Sequence, residues 1–192
     1  MGESENKMTR RDLLRVGARG AAAVALGSAA GVLLARNRDR AEGMVWQIDP
    51  DKCVACGNCA TYCVLSPSAV KCAHTFGICQ YCELCFAYFD PTAEAGKVGA
   101  EAQLCPADAL NRKHVEGPYY EYTVREDACI GCAKCVKGCG TFGEGAMYLQ
   151  VRHDRCLNCN DCAIAAACPS GAFVRIRIDK VSDWLKRKGR LS

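Results

Sequence analysis

Cysteine is the residue type here that could do chemistry, and it occurs 17 times in 192 residues. Cys53, Cys56, Cys59 and Cys63 are spaced C-x2-C-x2-C-x3-C, and Cys129, Cys132, Cys135 and Cys139 repeat that spacing. Cys156, Cys159 and Cys162 form a further triplet, whose fourth member, Cys168, comes after five intervening residues and precedes Pro169. Cys79, Cys82 and Cys85 form another, completed by the distant Cys105, which precedes Pro106. Four sets of four leave only Cys72 over. Two-residue gaps let three thiolates of one loop reach three iron corners of a [4Fe–4S] cubane, while intervening amides point at the sulfurs. The fourth corner takes its ligand from elsewhere, which in two-cluster proteins is the last cysteine of the other motif. A proline after that cysteine turns the chain away. Gly57, Gly131 and Gly138 let the backbone approach inorganic sulfide.

Two rival chemistries use the same residue. A zinc site needs two C-x-x-C pairs converging on one tetrahedral ion, and four loops of three cysteines would leave a surplus ligand in each group. A disulfide framework suits an oxidising compartment, but C-x-x-C neighbours make poor long-lived bridges and the total is odd. The pattern therefore reads as four [4Fe–4S] clusters. Each has four cysteines available, so no iron is left open for a substrate. A radical-SAM triplet and a P-loop are missing from the sequence.

The elements that must position these loops are short. Ala109–Val115 and Tyr119–Val124 read as a hairpin around a turn at Glu116-Gly117-Pro118. Single strands are expected at Met44–Ile48, Ser68–Cys72, Met147–Val151 and Phe173–Ile178, the last alternating so that Arg175 and Arg177 face out. The first and last of these should pair and bring the chain ends together. Short helices should come after the triplets, as at Ala163–Ala167. A full hairpin fits only between Cys105 and Cys129, which favours nesting: the second and third motifs form one module, and the first and fourth close around it. Cys168 would then complete Cys53, Cys56 and Cys59, while Cys63 would complete Cys156, Cys159 and Cys162. Cys139 would complete Cys79, Cys82 and Cys85, and Cys105 would complete Cys129, Cys132 and Cys135. A tandem arrangement, first with second and third with fourth, stays open.

Composition bounds the rest. Apolar residues at 50% and charged residues at 24% exclude wholesale disorder, and aromatic residues at 7% make for a thin core. A net charge of +4 without a basic stripe gives no reason to expect a nucleic-acid partner. Residues 1–43 differ in composition from the remainder of the chain. Thr9-Arg10-Arg11-Asp12-Leu13-Leu14 resembles the twin-arginine export motif, and Val16–Ala35 is an alanine-rich apolar segment with Arg19 its single charge. Its uncharged part, Ala21–Ala35, would span ~22 Å as a helix, short against a bilayer core of ~30 Å and suited to a signal h-region. Cleavage near Ala41, or retention of residues 16–35 as a membrane tether, both put the folded part outside the cytoplasm. Clusters are assembled in a reducing compartment, and the twin-arginine route carries folded cargo, so signal and motifs agree.

Residues 44 to about 179 resemble the four-cluster ferredoxin-type subunits of exported respiratory systems. These include iron–sulfur subunits serving molybdopterin oxidoreductases and ferredoxin-like subunits accompanying periplasmic nitrate reductase. The resemblance rests on the cysteine pattern. It implies an α+β fold of two bacterial-ferredoxin-like modules over 44–179, behind a signal or anchor helix and ahead of a basic tail over 180–192. It also implies a relay of single electrons between a membrane quinol or flavin donor and an exported oxidoreductase, with no substrate site in this chain. Val64 and Gly140 stand where the family has a proline after Cys63 and Cys139. The nineteen residues from Phe86 to Leu104 exceed its usual link. Rival functions are a subunit counted within a molybdopterin- or flavin-containing enzyme, a zinc-binding structural protein, and a cluster-based sensor lacking any visible output domain. Cys72 reads as a buried small side chain, His74, His114 and His153 as ordinary surface or turn residues, and Tyr81, Phe86, Tyr88 and Phe89 as packing over a cluster.

Overall fold

The computed structural model describes residues 43–90 and 103–191, with positions 10, 11, 19, 20, 24, 27 and 28 before them. The chain divides into two units, Met1–Met44 and Val45–Ser192. The expected export signal falls in the first and, apart from those helical positions, lies outside the described residues. So does 91–102, within the long link before Cys105. Among the described residues no helix is long and apolar enough to cross a membrane.

The stretches between cysteine loops are short and rich in β-branched and aromatic residues, so they form strands of five to seven residues. β1 (Met44–Ile48), β2 (Val70–His74), β3 (Leu110–Glu116), β4 (Tyr119–Val124), β5 (Met147–Val151) and β6 (Phe173–Arg177) make three two-stranded sheets. β1 pairs with β6, β2 with β5, and β3 with β4, nested like brackets. The β3–β4 hairpin aligns Leu110 with Val124. β2 and β5 run antiparallel with Cys72 opposite Leu149, so the two lone strands in the short gaps are partners of each other. That sheet closes the inner half of the molecule and stands in the outer half where a hairpin would stand. Val70, Leu149 and Val151 join Ile48 and Ile164 in the outer core. Farther along the same sheet, Cys72 and Met147 join Leu110 and Tyr122 in the inner core. The buried amide of Gln47 ties β1 to β5, its Oε1 accepting from the Val151 amide at 3.1 Å.

Helices accompany three of the four triplets: α1 (Asn58–Tyr62), α2 (Lys134–Phe142) and α3 (Ala163–Ala167). The expected helix after Cys85 is replaced, among the described residues, by a turn over 86–88. A 3-10 turn (Ile178–Lys180) leads into α4 (Val181–Arg187). Three further expectations need correction. β2 starts at Val70 rather than Ser68, because the Ser68 hydroxyl donates to the Cys59 carbonyl at 2.8 Å and accepts from the Val70 amide, capping a turn. Arg175 does not face out: its guanidinium lies over the Trp46 ring at 5.0 Å, and only Arg177 is exposed. The basic tail, described as far as Leu191, is solvated only in part. Val181 and Leu185 bury against Tyr148, Lys188 pairs with Asp49 and Asp51, and Arg190 donates to the Gly145 carbonyl at 2.7 Å. Lys188 and Arg190 are thus anchored, while Lys180, Lys186 and Arg187 stay exposed.

Candidate metal centres

The first C-x-x-C turn of each triplet repeats one backbone device. Its second intervening residue is left-handed: Ala55 (φ 51°), Tyr81 (φ 53°), Gly131 (φ 72°) and Asn158 (φ 51°). Side-chain-bearing residues adopt this region rarely, and its recurrence at one position in four loops points to a shared requirement. The requirement is visible at sulfur. The Tyr81 and Asn158 amides donate to Cys79 Sγ and Cys156 Sγ, both at 3.4 Å. The Ala55 and Gly131 amides do the same for Cys53 and Cys129. Of these four positions glycine is needed outright only at Gly131, where a Cβ would come within 2.6 Å of the Val70 carbonyl oxygen.

The four completing cysteines are presented in two ways. Cys105 and Cys168 precede prolines, and three residues on the chain again turns left-handed, at Asp108 and Gly171. The next amides, of Ala109 and Ala172, then reach back to Cys105 Sγ at 3.2 Å and Cys168 Sγ at 3.3 Å. Cys63 instead caps the end of α1, and Cys139 sits inside α2. A Cβ on Gly138 would overlap the Phe86 carbonyl, so α2 lies directly against the second motif.

Charge effects between thiols show which ones the fold gathers. Cys59 feels Cys53, Cys56 and Cys168, a first quartet. Cys79 and Cys85 feel Cys139, and Cys79 also feels Cys82, a second. Cys132 feels Cys135, Cys105 and Cys129, a third. Cys156 feels Cys162, Cys159 and Cys63, a fourth. This is the nested grouping, not the tandem one. Burial, then neighbouring thiols, push Cys59 up to about 12. Burial likewise lifts Cys85 to about 11 against the pull of the Ala87 and Tyr88 amides. At Cys63 burial works upward, but the Ala69 and Leu65 amides, the Ser68 hydroxyl and Arg155 together bring it below the ordinary thiol value.

The donor sets suit a cubane. Zinc would draw its sulfurs to within ~2.3 Å of one point. Among the described residues no three Cys, His, Asp or Glu side chains converge in that way. No disulfide joins any of the cysteines. The fourth quartet instead lines a small cavity of about 30 Å³ with Trp46, Val70 and Ile164. The third lines one of about 20 Å³ with Leu110, Val124 and Cys72. Thiols around an apolar space, with backbone amides aimed at sulfur, are what a cluster requires.

Several contributors were not legible in the motifs. The Trp46 indole donates to the Cys159 carbonyl at 2.7 Å, and the Tyr122 hydroxyl donates to the Cys82 carbonyl at 2.8 Å. Cys72, buried in β2, gives its amide to Cys129 Sγ at 3.3 Å and packs its sulfur 3.5 Å from Met147 Sδ. His153 meets the Trp46 carbonyl at 3.0 Å, while His74 and His114 pack on Phe76 and Tyr120. Of the aromatic group near the second motif, Phe89 is buried against Tyr88, and Phe86 packs on Phe142.

Residues 46–63 match the 4Fe-4S binding domain family. The chain is also similar to the NADH-dependent phenylglyoxylate dehydrogenase subunit beta of Aromatoleum evansii, 27% identical over 163 residues. That match takes in 71% of this chain and 32% of the relative, so the chain spans about a third of that protein's length. Both findings support an iron–sulfur protein of the ferredoxin type whose general work is electron transfer.

Proposed function

We propose that this chain relays single electrons through four [4Fe–4S] clusters, one in each thiol quartet, between redox protein partners. A bound cluster supplies reversible one-electron storage; the chain supplies the surroundings. Cys53, Cys56, Cys59 and Cys168 would hold the first cluster, and Cys79, Cys82, Cys85 and Cys139 the second. Cys105, Cys129, Cys132 and Cys135 would hold the third, and Cys63, Cys156, Cys159 and Cys162 the fourth. The observation that carries this reading is the fourfold repeat of a left-handed residue whose amide bonds the first cysteine's sulfur. Each iron has its thiolate and none is left for a substrate, so the chain acts as a conduit rather than a catalyst. The resemblance of Thr9–Leu14 to the twin-arginine motif supports export as folded cargo, to the periplasm or the outer face of the membrane. A membrane quinol or flavin donor and an exported oxidoreductase are the matching partners.

A second reading is favoured by the relative, which is named as a dehydrogenase subunit. Here the same wire is a part of an oxidoreductase complex. Iron and acid-labile sulfide on anaerobically purified protein test the cluster count, with ~16 of each per chain and a broad brown absorbance expected. About 12 would mean one empty quartet, and colourless zinc protein would overturn the relay. A catalytic chain co-purifying through salt would move the assignment to the second reading.

A further inference from the structure

Two of the four quartets carry an arginine that the cysteine chemistry does not use. Arg112 of β3 is sandwiched between the rings of Tyr120, 3.6 Å from its guanidinium carbon, and Phe89 at 4.9 Å. It donates to the Tyr122 hydroxyl at 3.3 Å and to the Glu83 carbonyl, next after Cys82, at 3.0 Å. Arg175 of β6 repeats the arrangement at the fourth quartet. It lies over Trp46 and donates to Asn158, next before Cys159, at the carbonyl (3.3 Å) and at Oδ1 (3.1 Å). In both places an aromatic donor and an arginine grip the loop around the second cysteine. The two sites come from unrelated strands, one in the hairpin and one in the terminal sheet.

The charge is uncompensated. Arg125, Arg152 and Arg177 pair with Asp108, Asp154 and Asp179. Among the described residues neither Arg112 nor Arg175 has a carboxylate partner within 4.0 Å. Both are half-buried, where a charge is screened less than at the open surface. A guanidinium stays protonated at any working pH. The triplet loops of the first and third quartets accept no bond from an arginine among the described hydrogen bonds; Arg125 reaches the Asp108 carbonyl beyond Cys105, but there the Asp108 carboxylate pairs with it. Those two triplet loops face each other instead, a Cβ on Gly57 lying 3.2 Å from the Cys132 carbonyl oxygen.

We infer that Arg112 and Arg175 are positioning residues that raise the reduction potentials of the second and fourth quartets relative to the other two, through a fixed positive charge held on the ligating loop, at the residue next to its second cysteine. This rests on the four-cluster relay proposed above. Accepting an electron makes a cluster more negative, so a nearby cation favours the reduced form. Removing it shifts the equilibrium toward the oxidised form. A neutral donor could grip the loop equally well, which separates the electrostatic role from the structural one.

The test is a potentiometric titration of the full holoprotein monitored by electron paramagnetic resonance, on the unmodified chain and on Arg112→Gln, Arg175→Gln and the double variant. Each single substitution should move one transition to lower potential, at least several-fold in the reduced fraction at the original midpoint. The two should move different transitions, and the double variant both. Arg112→Lys and Arg175→Lys should return part of each shift. Unchanged curves at full iron content, an upward shift, or all transitions moving together would overturn the inference. So would iron loss in the lysine and glutamine variants alike, which would mark the arginines as purely structural. Iron and sulfide on the unmodified chain report on the four-cluster reading separately, because the inference is read as a difference between proteins of equal iron content. A chain with clusters in neither the second nor the fourth quartet overturns both.

Discussion

The outer and inner halves hold the same chemistry on different supports. The inner half encloses its two quartets with a true hairpin, β3–β4, and the sheet β2–β5. The outer half has no hairpin. It uses β1–β6 at one side and borrows β2–β5 at the other, so one sheet serves two cores. Between them the fixed part is local: the left-handed residue and its amide bond to sulfur occur in all four loops. The variable part is the clamp, an indole from β1 in one half and a phenol from β4 in the other. The cysteine loop is therefore the recurring physical unit of this molecule, and any strand that brings a donor to the loop carbonyl will do.

The largest expected effect removes the difference altogether. Both halves have small cores beneath short sheets, so chelating the iron should unfold outer and inner halves together. Loss of the near-ultraviolet and strand circular dichroism signals on anaerobic stripping would show it. In the stripped, unfolded chain the thiols lose the burial that raises Cys59 and Cys85 in the fold, return to the ordinary value of ~8.5, and are mostly protonated at neutral pH. Loading must displace those protons, so reconstitution should become more complete as pH rises from ~7 to ~9. A yield that falls over that range would contradict this.

A smaller effect should split the halves. Gly138→Ala drives a methyl into the Phe86 carbonyl and should cost the inner half ~1–3 kcal/mol or more, emptying the second quartet first. Gly140→Ala, two residues along the same helix with nothing within 4 Å, should instead stabilise by ~0.5–1 kcal/mol. Thermal melts and iron content of the two variants make the comparison. If both lose iron equally, the close approach of α2 to the second motif is not what holds that quartet.

The smallest effect compares the clamps. Trp46→Phe deletes one hydrogen bond to a loop carbonyl, about 1 kcal/mol, and Tyr122→Phe deletes a donation shared by the Cys82 and Glu83 carbonyls together with the bond accepted from Arg112, about 1–2 kcal/mol. Each should speed cluster loss to a chelator from its own half only, the fourth quartet for Trp46 and the second for Tyr122. Equal acceleration from both halves in either variant would mean that the clamps act on the whole fold.

Much of the site was readable because cubane ligation is local: two-residue gaps name the triplets without any knowledge of the fold. β5 and α3 lie at the expected residues for the same reason, being short runs bounded by cysteine loops. What the sequence hid is non-local. β2 and β5 are separated by more than seventy residues, and neither announces its partner. Arg175 sits in an alternating strand and reads as solvent-facing until Trp46 is placed beside it. The left-handed position escaped notice because Ala55, Tyr81, Gly131 and Asn158 have no side-chain chemistry in common. Only the register of the four loops, one above another, reveals it.

The nested grouping of thiols is the central claim, and iron counts on three chains test it: Cys63→Ala, Cys159→Ala and the double variant. In the nested arrangement both cysteines belong to the fourth quartet, so each single variant and the double should all retain ~12 irons. In the tandem arrangement Cys63 would complete the Cys79 loop, and the double variant would fall to ~8. A double variant at ~8, with each single at ~12, would contradict the account.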